Sequence, residues 1–222
     1  MNAARIKTFL SDPELLKFFF LLRFYRVITR LTGGSVRLST RGMMREGIER
    51  VIEKGRAYYL YDGSRYPEEV ARGNAMDHIG DHALTFCKGK GLDIGANKWP
   101  LPGAHPVENR ETENAYRLDR WADGALDFVF SSHCLEHLAQ WRTALALWVS
   151  KLKPGGVLFL YLPHHSMTLW RPGSPWVGDD HVWSPSAEVL VPFLEALGMT
   201  MIEVDPGPDD YFSFHIVARR GE

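Results

Sequence analysis

Cysteine is scarce in this chain: Cys87 and Cys134 are the only two, in unlike surroundings and without C-x-x-C spacing. That excludes a disulfide framework and a cysteine zinc cluster, and it leads to the expectation of a reducing, cytoplasmic setting. Long apolar runs are missing too. No stretch reaches the roughly 18 to 20 apolar residues that a membrane-spanning helix needs, and no cleavable signal pattern is expected. What is there is a chain of 222 residues with 45% hydrophobic content. It can bury one sizeable core, as one large domain or as a domain with an appended segment.

The net charge of -1 hides an asymmetry. Residues 1–60 hold 12 Lys and Arg against 5 Asp and Glu, a net of +7, and the remainder holds 14 against 22, a net of -8. Within the basic front, "ELLKFFFLLRFYRVITRL" (Glu14 to Leu31) has helical composition and no breaker, with Arg23, Arg26 and Arg30 on one narrow stripe. Such a helix either packs against the main domain or a second subunit, or lies in a membrane interface with its arginines on anionic headgroups. "LTGG" ends it, and "TRGMMREGIERVIEKG" reads as a second short helix closed by Gly55. A mostly helical extension over residues 1–85 is therefore expected, with a last helix near Asn74 to Phe86.

From Gly89 onward, short apolar runs alternate with helical patterns, and a domain over residues 86–222 is expected. "KGLDI", "DFVFSS" and "GVLFLYLP" look like buried parallel strands. "CLEHLAQWRTALALWVSKL" (Cys134 to Leu152) repeats its apolar residues at helical spacing and stops at "KPGG". "SAEVLVPFLEALG" predicts a second helix, with Ser186 as N-cap, Gly198 just past its end and a kink at Pro192. "MTMIEVD" and "YFSFHIVARR" suggest a terminal antiparallel pair. The whole is an α/β sheet, mostly parallel, covered on both faces.

The stretch "GLDIGANKWPLPGAHPVE" (Gly91 to Glu108) follows the first strand of that sheet, where open α/β proteins place their ligands. Gly95 and Ala96 allow a close backbone approach, and Asn97 tolerates a left-handed conformation. Asp93 ends the strand, and Glu108 after "HPV" can accept both hydrogen bonds of a ribose diol. A pyrophosphate fits poorly, since G-x-G-x-x-G opening a helix is missing. The acidic Asp93 suits a cationic, phosphate-free nucleoside instead.

With "GLDIGAN", "PLPGAHPVE", "LDFVFSSHCLEHL" and "LKPGGVLFLYLP" in this order, residues 89–218 resemble the class I S-adenosylmethionine (SAM)-dependent methyltransferases of the type 11 group. The resemblance implies a Rossmann-like sheet with an antiparallel last strand and SAM as cofactor. It places Asp93 and Gly95 along the methionine part and Glu108 at the ribose, with Ala96 and Asn97 among the cofactor-binding residues. Asp119 of "RLDRW" falls at the adenine, and Ser131 with His133 in the methyl-transfer zone. Asn97 where a second glycine is usual, Glu108 where Asp is commoner, and a link too short for a first helix are departures from that pattern.

The sulfonium is an activated leaving group, so the protein must mainly align the acceptor and exclude water. An oxygen acceptor also needs a base, and His133, His164, His165 and His181 are the candidates. His137 reads as a structural residue of the following helix. "HHSMTLWRPGSPWVGDDHVWSP" (residues 164–185) is long for a strand-to-helix link, which marks a lid or binding loop. Its Trp170, Trp176 and Trp183 can wall a saccharide or aromatic acceptor or simply pack the lid. Asp179, Asp180 and His181 with His164 or His165 offer N and O donors, yet acids beside a histidine equally tune its basicity, and no metal is expected. The expected activity is O-methylation of a saccharide, lipid-linked glycan or small metabolite. The alternative is an inactive SAM-binding module that holds a partner. Helix 14–31 supplies either a peripheral membrane contact or a homo-oligomer contact. Nucleic acid is not expected as a partner, because the catalytic half is acidic.

Overall fold

The computed structural model describes residues 23–24, 27–28, 38–39 and 47–222. The chain divides into two compact units, Met1–Arg72 and Gly73–Glu222. Among the described residues no helix is long and apolar enough to cross a membrane.

The first unit carries an antiparallel sheet in the order β1 (Leu38–Ser39), β2 (Glu49–Glu53), β3 (Arg56–Tyr61), β4 (Ser64–Pro67), followed by the short helix α1 (Glu68–Ala71). The segment that the sequence marks as a second helix, ending at Gly55, thus holds β2 instead. The reason lies in two turns. Lys54-Gly55 and Asp62-Gly63 all take positive φ, at 48°, 80°, 49° and 72°, and the register Glu53↔Arg56 and Tyr61↔Ser64 leaves two residues in each loop. That is the tight hairpin turn whose twist matches paired strands. Once the hairpins close, Val51, Ile52, Tyr59 and Tyr66 are buried. Arg50 forks onto Glu68 at 3.0 and 2.5 Å, and Tyr59 donates to the same carboxylate at 2.9 Å. Of the basic helix expected over residues 14–31, only 23–24 and 27–28 are described, as helix, with Phe24 and Val27 exposed; the rest lies outside the described residues.

The second unit begins with α2 (Met76–Phe86). That helix belongs to this unit, so the structural division falls at residue 72 rather than 85. The strands β5 (Gly91–Ile94), β6 (His105–Val107), β7 (Leu126–Ser132), β8 (Leu152–Pro163), β9 (Met199–Asp205) and β10 (Ser213–Arg220) form one sheet in the order β6-β5-β7-β8-β10-β9. The first four are parallel, while β10 runs antiparallel to both β8 and β9. Helices α3 (Trp141–Lys151) and α4 (Ala187–Ala196) complete the unit. No helix separates β5 from β6, as the ten-residue link requires. Helix α3 starts later than its apolar pattern suggests, because Leu135–His137 form a separate 3-10 turn. Pro192 sits within α4, which continues past it, and Gly198 takes the left-handed conformation at φ 79° just beyond its end.

The central strands β5, β7, β8 and β10 are hydrophobic on both faces because both are covered. Leu92, Ile94, Val129, Leu158, Leu160 and Ile216 pack with Leu145, Trp148, Leu190 and Leu194 of α3 and α4 in one core. From the other face Phe130 and Phe159 pack together, and Phe159 meets Phe86 of α2. Each such side chain stabilises the fold by about 1.5–3 kcal/mol through area removed from water. Arg220, the last residue of β10, donates to the carbonyls of Val149, Ser150 and Leu152, satisfying the open C-terminal end of α3. The carboxyl ends of β5, β7 and β8 converge on one side of this rigid frame.

Candidate active site

A cavity of about 250 Å³ opens where β5 and β7 end. Its first wall is Asp93, Gly95, Ala96 and Asn97; its second is Ser132, His133, Glu136 and His137; Trp170, His181 and Tyr211 face these from later segments. The first wall follows from the turn after β5. The Gly95 amide donates to the Val107 carbonyl at 2.9 Å, tying the loop to β6. Gly95 has φ 85°, and a Cβ there would stand 2.6 Å from the Cys134 Cβ and 2.7 Å from its sulfur. Only glycine lets the backbone pass this close. Asn97 is left-handed as well, at φ 50°.

Asp93 is 1% exposed, and its Oδ2 accepts a hydrogen bond from the Leu101 amide at 2.7 Å. Burial pushes its carboxyl up to about 7; the Leu101 amide opposes this and the Glu108 charge adds to it. The site thus stores a carboxyl whose ionised form is costly until a cation comes near.

The second wall is anchored by His133, whose φ of 46° is uncommon for a residue with a side chain and is typical of strain held at a functional position. Its amide donates to the Tyr161 carbonyl at 2.8 Å. The Ser213 hydroxyl pairs with His133 Nε2 at 2.9 Å and also reaches the Tyr211 carbonyl at 3.3 Å. Burial, then the neighbouring His181 and His137, brings the His133 ring down to about 3. His181 is lowered to about 4 by burial and by His137, against the pull of the Trp170 carbonyl and Asp180. Both rings are therefore neutral through the neutral pH range. Glu136 is fully buried, and burial raises it to about 8 against its own amide.

The candidate residues of the sequence divide here. Asp93, Gly95, Ala96, Asn97, His133 and His181 line the one cavity. Ser131 does not: its hydroxyl is buried and donates to the Ile94 carbonyl at 2.9 Å, so the next residue, Ser132, faces the cavity. Glu108 lies outside the lining yet near enough for its charge to act on Asp93. Asp119 has a side chain 82% exposed, with Arg117 at 3.7 Å. The His164 and His165 rings lie 4.0 Å apart at a tilt of 40° and line a separate small cleft with Arg171 and Trp183.

Three residues were not legible in these roles. Glu136 and His137 sit inside the apolar "CLEHL", which reads as helix, and a charged Glu between two leucines was the available signal. Tyr211 comes from the approach to β10, and no local pattern marks it. Of the lid tryptophans, Trp170 stands edge-on to His133 at 5.1 Å, whereas Trp183 stacks on Trp141 at 4.6 Å and donates to the Leu135 carbonyl, serving packing.

The cavity thus gathers a buried carboxyl group and neutral imidazoles in its lining. Residues 91–160 match the family model described as a methyltransferase domain. A SAM-dependent methyltransferase from Mesorhizobium loti shares the fold at a TM-score of 0.51 and 14% identity, over 68% of this chain and 100% of that one. A second, from Archaeoglobus fulgidus, does so at 0.50 and 18% identity, over 69% and 97%. No protein of curated function matches the chain.

Proposed function

We propose that this chain, which carries a class I SAM-dependent methyltransferase domain, methylates an oxygen of a small hydroxylated acceptor such as a saccharide, with His133 as proton acceptor. The observation that carries the proposal is the facing pair in one cavity: Asp93 beside the Gly95 turn, and His133 held by Ser213 opposite. The residues present fit the cofactor, because a buried carboxyl with no cationic partner among the described residues is suited to the ammonium of a methionine moiety. When bound, SAM supplies a methyl group on a positively charged sulfur. The chain's own residues do the remaining work. Gly95, Ala96 and Asn97 let the backbone pass close to the ligand, and Glu108, one strand over, is the candidate for the ribose hydroxyls. Trp170 and Tyr211 give the cavity aromatic walls that suit a sugar face and exclude water. With Nε2–H donating to Ser213 Oγ, the tautomer this reading requires, His133 Nδ1 is the ring nitrogen that accepts the proton.

His164 and His165 line a different cleft, and this favours His133 among the candidate bases. The two cysteines are both free, which supports a reducing setting such as the cytoplasm. The exposed Phe24 and Val27 support a peripheral contact of the front helix with lipid or protein.

Labelled SAM offered with a panel of saccharides and hydroxylated metabolites tests the proposal. Label should enter an acceptor oxygen, and His133→Ala should lower kcat by about 10²- to 10⁴-fold with S-adenosylhomocysteine (SAH) affinity kept. SAH binding without turnover on any acceptor would point to a binding module instead, and undiminished turnover in His133→Ala would remove the base.

A further inference from the structure

Glu136 lines the cavity with no exposed surface, and among the described residues neither of its carboxylate oxygens has a hydrogen-bond partner. Three imidazoles surround its Oε1: His133 Nδ1 at 3.8 Å, His137 Nε2 at 3.9 Å and His181 Nε2 at 3.9 Å. These separations are beyond hydrogen-bond reach. The ring protons are committed elsewhere. His137 Nδ1–H donates to the Asp180 carbonyl at 2.7 Å, and His181 Nδ1–H to the Trp170 carbonyl at 2.6 Å. A neutral ring protonated at Nδ1 presents a bare lone pair at Nε2. Two bare lone pairs and a buried carboxyl group therefore face one another inside a cavity with no hydrogen bond between them, and an ion bound there would displace the carboxyl proton. Metal-binding histidines characteristically spend their other N–H on a backbone carbonyl or carboxylate in this way.

We propose that Glu136 and the Nε2 atoms of His137 and His181 bind a divalent transition-metal ion, whose open coordination positions face the cavity. The three ligand atoms lie within 4.8 Å of one another. Bonds of about 2.0–2.2 Å to one ion allow ligand separations up to about 4.2 Å, so small side-chain rotations bring all three onto it. Two imidazoles with one carboxylate suit zinc, manganese or iron better than magnesium, which prefers oxygen. The Val182 amide donates to the Glu136 carbonyl at 2.9 Å, fixing the segment that carries His181 against Glu136.

A second cluster gives the contrast. His82, Glu203 and His215 also stand at ligand spacing, but there both rings reach Glu203 Oε1 directly, at 3.0 and 2.7 Å. That carboxylate is satisfied without an ion; Glu136 is not. No metal follows from the sequence, because the ligands come from a 3-10 turn and from a loop 45 residues away in the chain. Ion binding stands on these side chains alone, and the ion's service to an acceptor oxygen rests on the methyl-transfer proposal.

The full chain, purified without a histidine tag and stripped with a chelator, is titrated by calorimetry with Zn²⁺, Mn²⁺ and Mg²⁺, and separately with SAH. One equivalent of Zn²⁺ or Mn²⁺ should bind with a dissociation constant of about 1 µM or below, and Mg²⁺ at least about tenfold more weakly. His137→Ala, at a half-exposed position, should weaken binding by at least about 100-fold, more than loss of an outer partner does. Glu136→Gln, which keeps the side-chain volume, should do the same, and His82→Ala should change nothing. No bound equivalent below about 100 µM, or binding that survives both His137→Ala and Glu136→Gln, overturns the site. Protein that binds SAH but no ion refutes the metal and leaves methyl transfer standing, whereas ion binding without SAH does the reverse.

Discussion

Replacing Asp93 by Asn should make the protein more stable at pH 8 and worse at binding its cofactor. In the unfolded chain the carboxyl ionises near its ordinary 3.8; in the folded protein burial and Glu108 move it to about 7, against the Leu101 amide. Between these values the folded state keeps a proton that the unfolded state has lost. Stability therefore falls as pH rises through that window and stays low above about 7. At 1.36 kcal/mol per pH unit, the ionised carboxylate costs the apoprotein on the order of 4 kcal/mol at pH 8. Asn keeps an oxygen for the Leu101 amide but must bury an NH₂ at a cost of about 1–3 kcal/mol. The net gain should be about 2 kcal/mol, or roughly 4–8 °C in Tm at pH 8 for a chain of this size, and it should reverse to a loss of about 1–2 kcal/mol at pH 4, where the wild-type carboxyl is buried neutral. Cofactor binding should move the other way. The wild-type affinity for SAH should climb with pH up to about 7 and then level off, as the carboxylate becomes available to the ammonium. In Asp93→Asn it should be flat and about 10- to 100-fold weaker at pH 8, the worth of a hydrogen bond to a charged group. Thermal unfolding and calorimetry with SAH at pH 5 to 8.5 read both effects. A pH-independent wild-type affinity, or a variant less stable than wild type at pH 8, would refute the role given to this carboxylate.

Three further outcomes follow from the geometry. Gly95→Ala must place a Cβ on Cys134 and hold φ 85°; it should lose about 1–3 kcal/mol in urea unfolding and weaken SAH, and unchanged unfolding would show the turn to be adaptable. Ser131→Ala removes the buried hydrogen bond to Ile94, so denaturant titration should show a loss of about 1–2 kcal/mol while SAH affinity stays within about threefold; a selective loss of SAH would return Ser131 to the cofactor. Asp119→Asn, at an exposed side chain, should leave SAH affinity within about threefold, and a loss beyond tenfold would place Asp119 on the adenine after all.

The second unit was legible in the sequence because its central strands are apolar on both faces, its last two carry alternating runs, and glycine and proline punctuate them, so β5 to β10 could be expected from local pattern alone. The first unit was not. Charged residues around Val51 and Ile52 resemble a helical face, and the two hairpin turns that decide the matter depend on residues with positive φ at positions 54, 55, 62 and 63. The cavity wall from Asp93 to Asn97 is likewise contiguous in the chain, so local sequence alone specified it. The opposite side had to wait for tertiary structure. Whether Ser131 or Ser132 faces the cavity depends on the strand's alternation, and which histidines meet depends on where the loop after β8 returns. Glu136 within "CLEHL" is one acidic residue in an apolar run until folding encloses it with His133, His137 and His181. Local sequence specifies conformation through short-range sterics and periodicity, but a cluster drawn from residues 133 to 181 exists only once the sheet has brought their elements together.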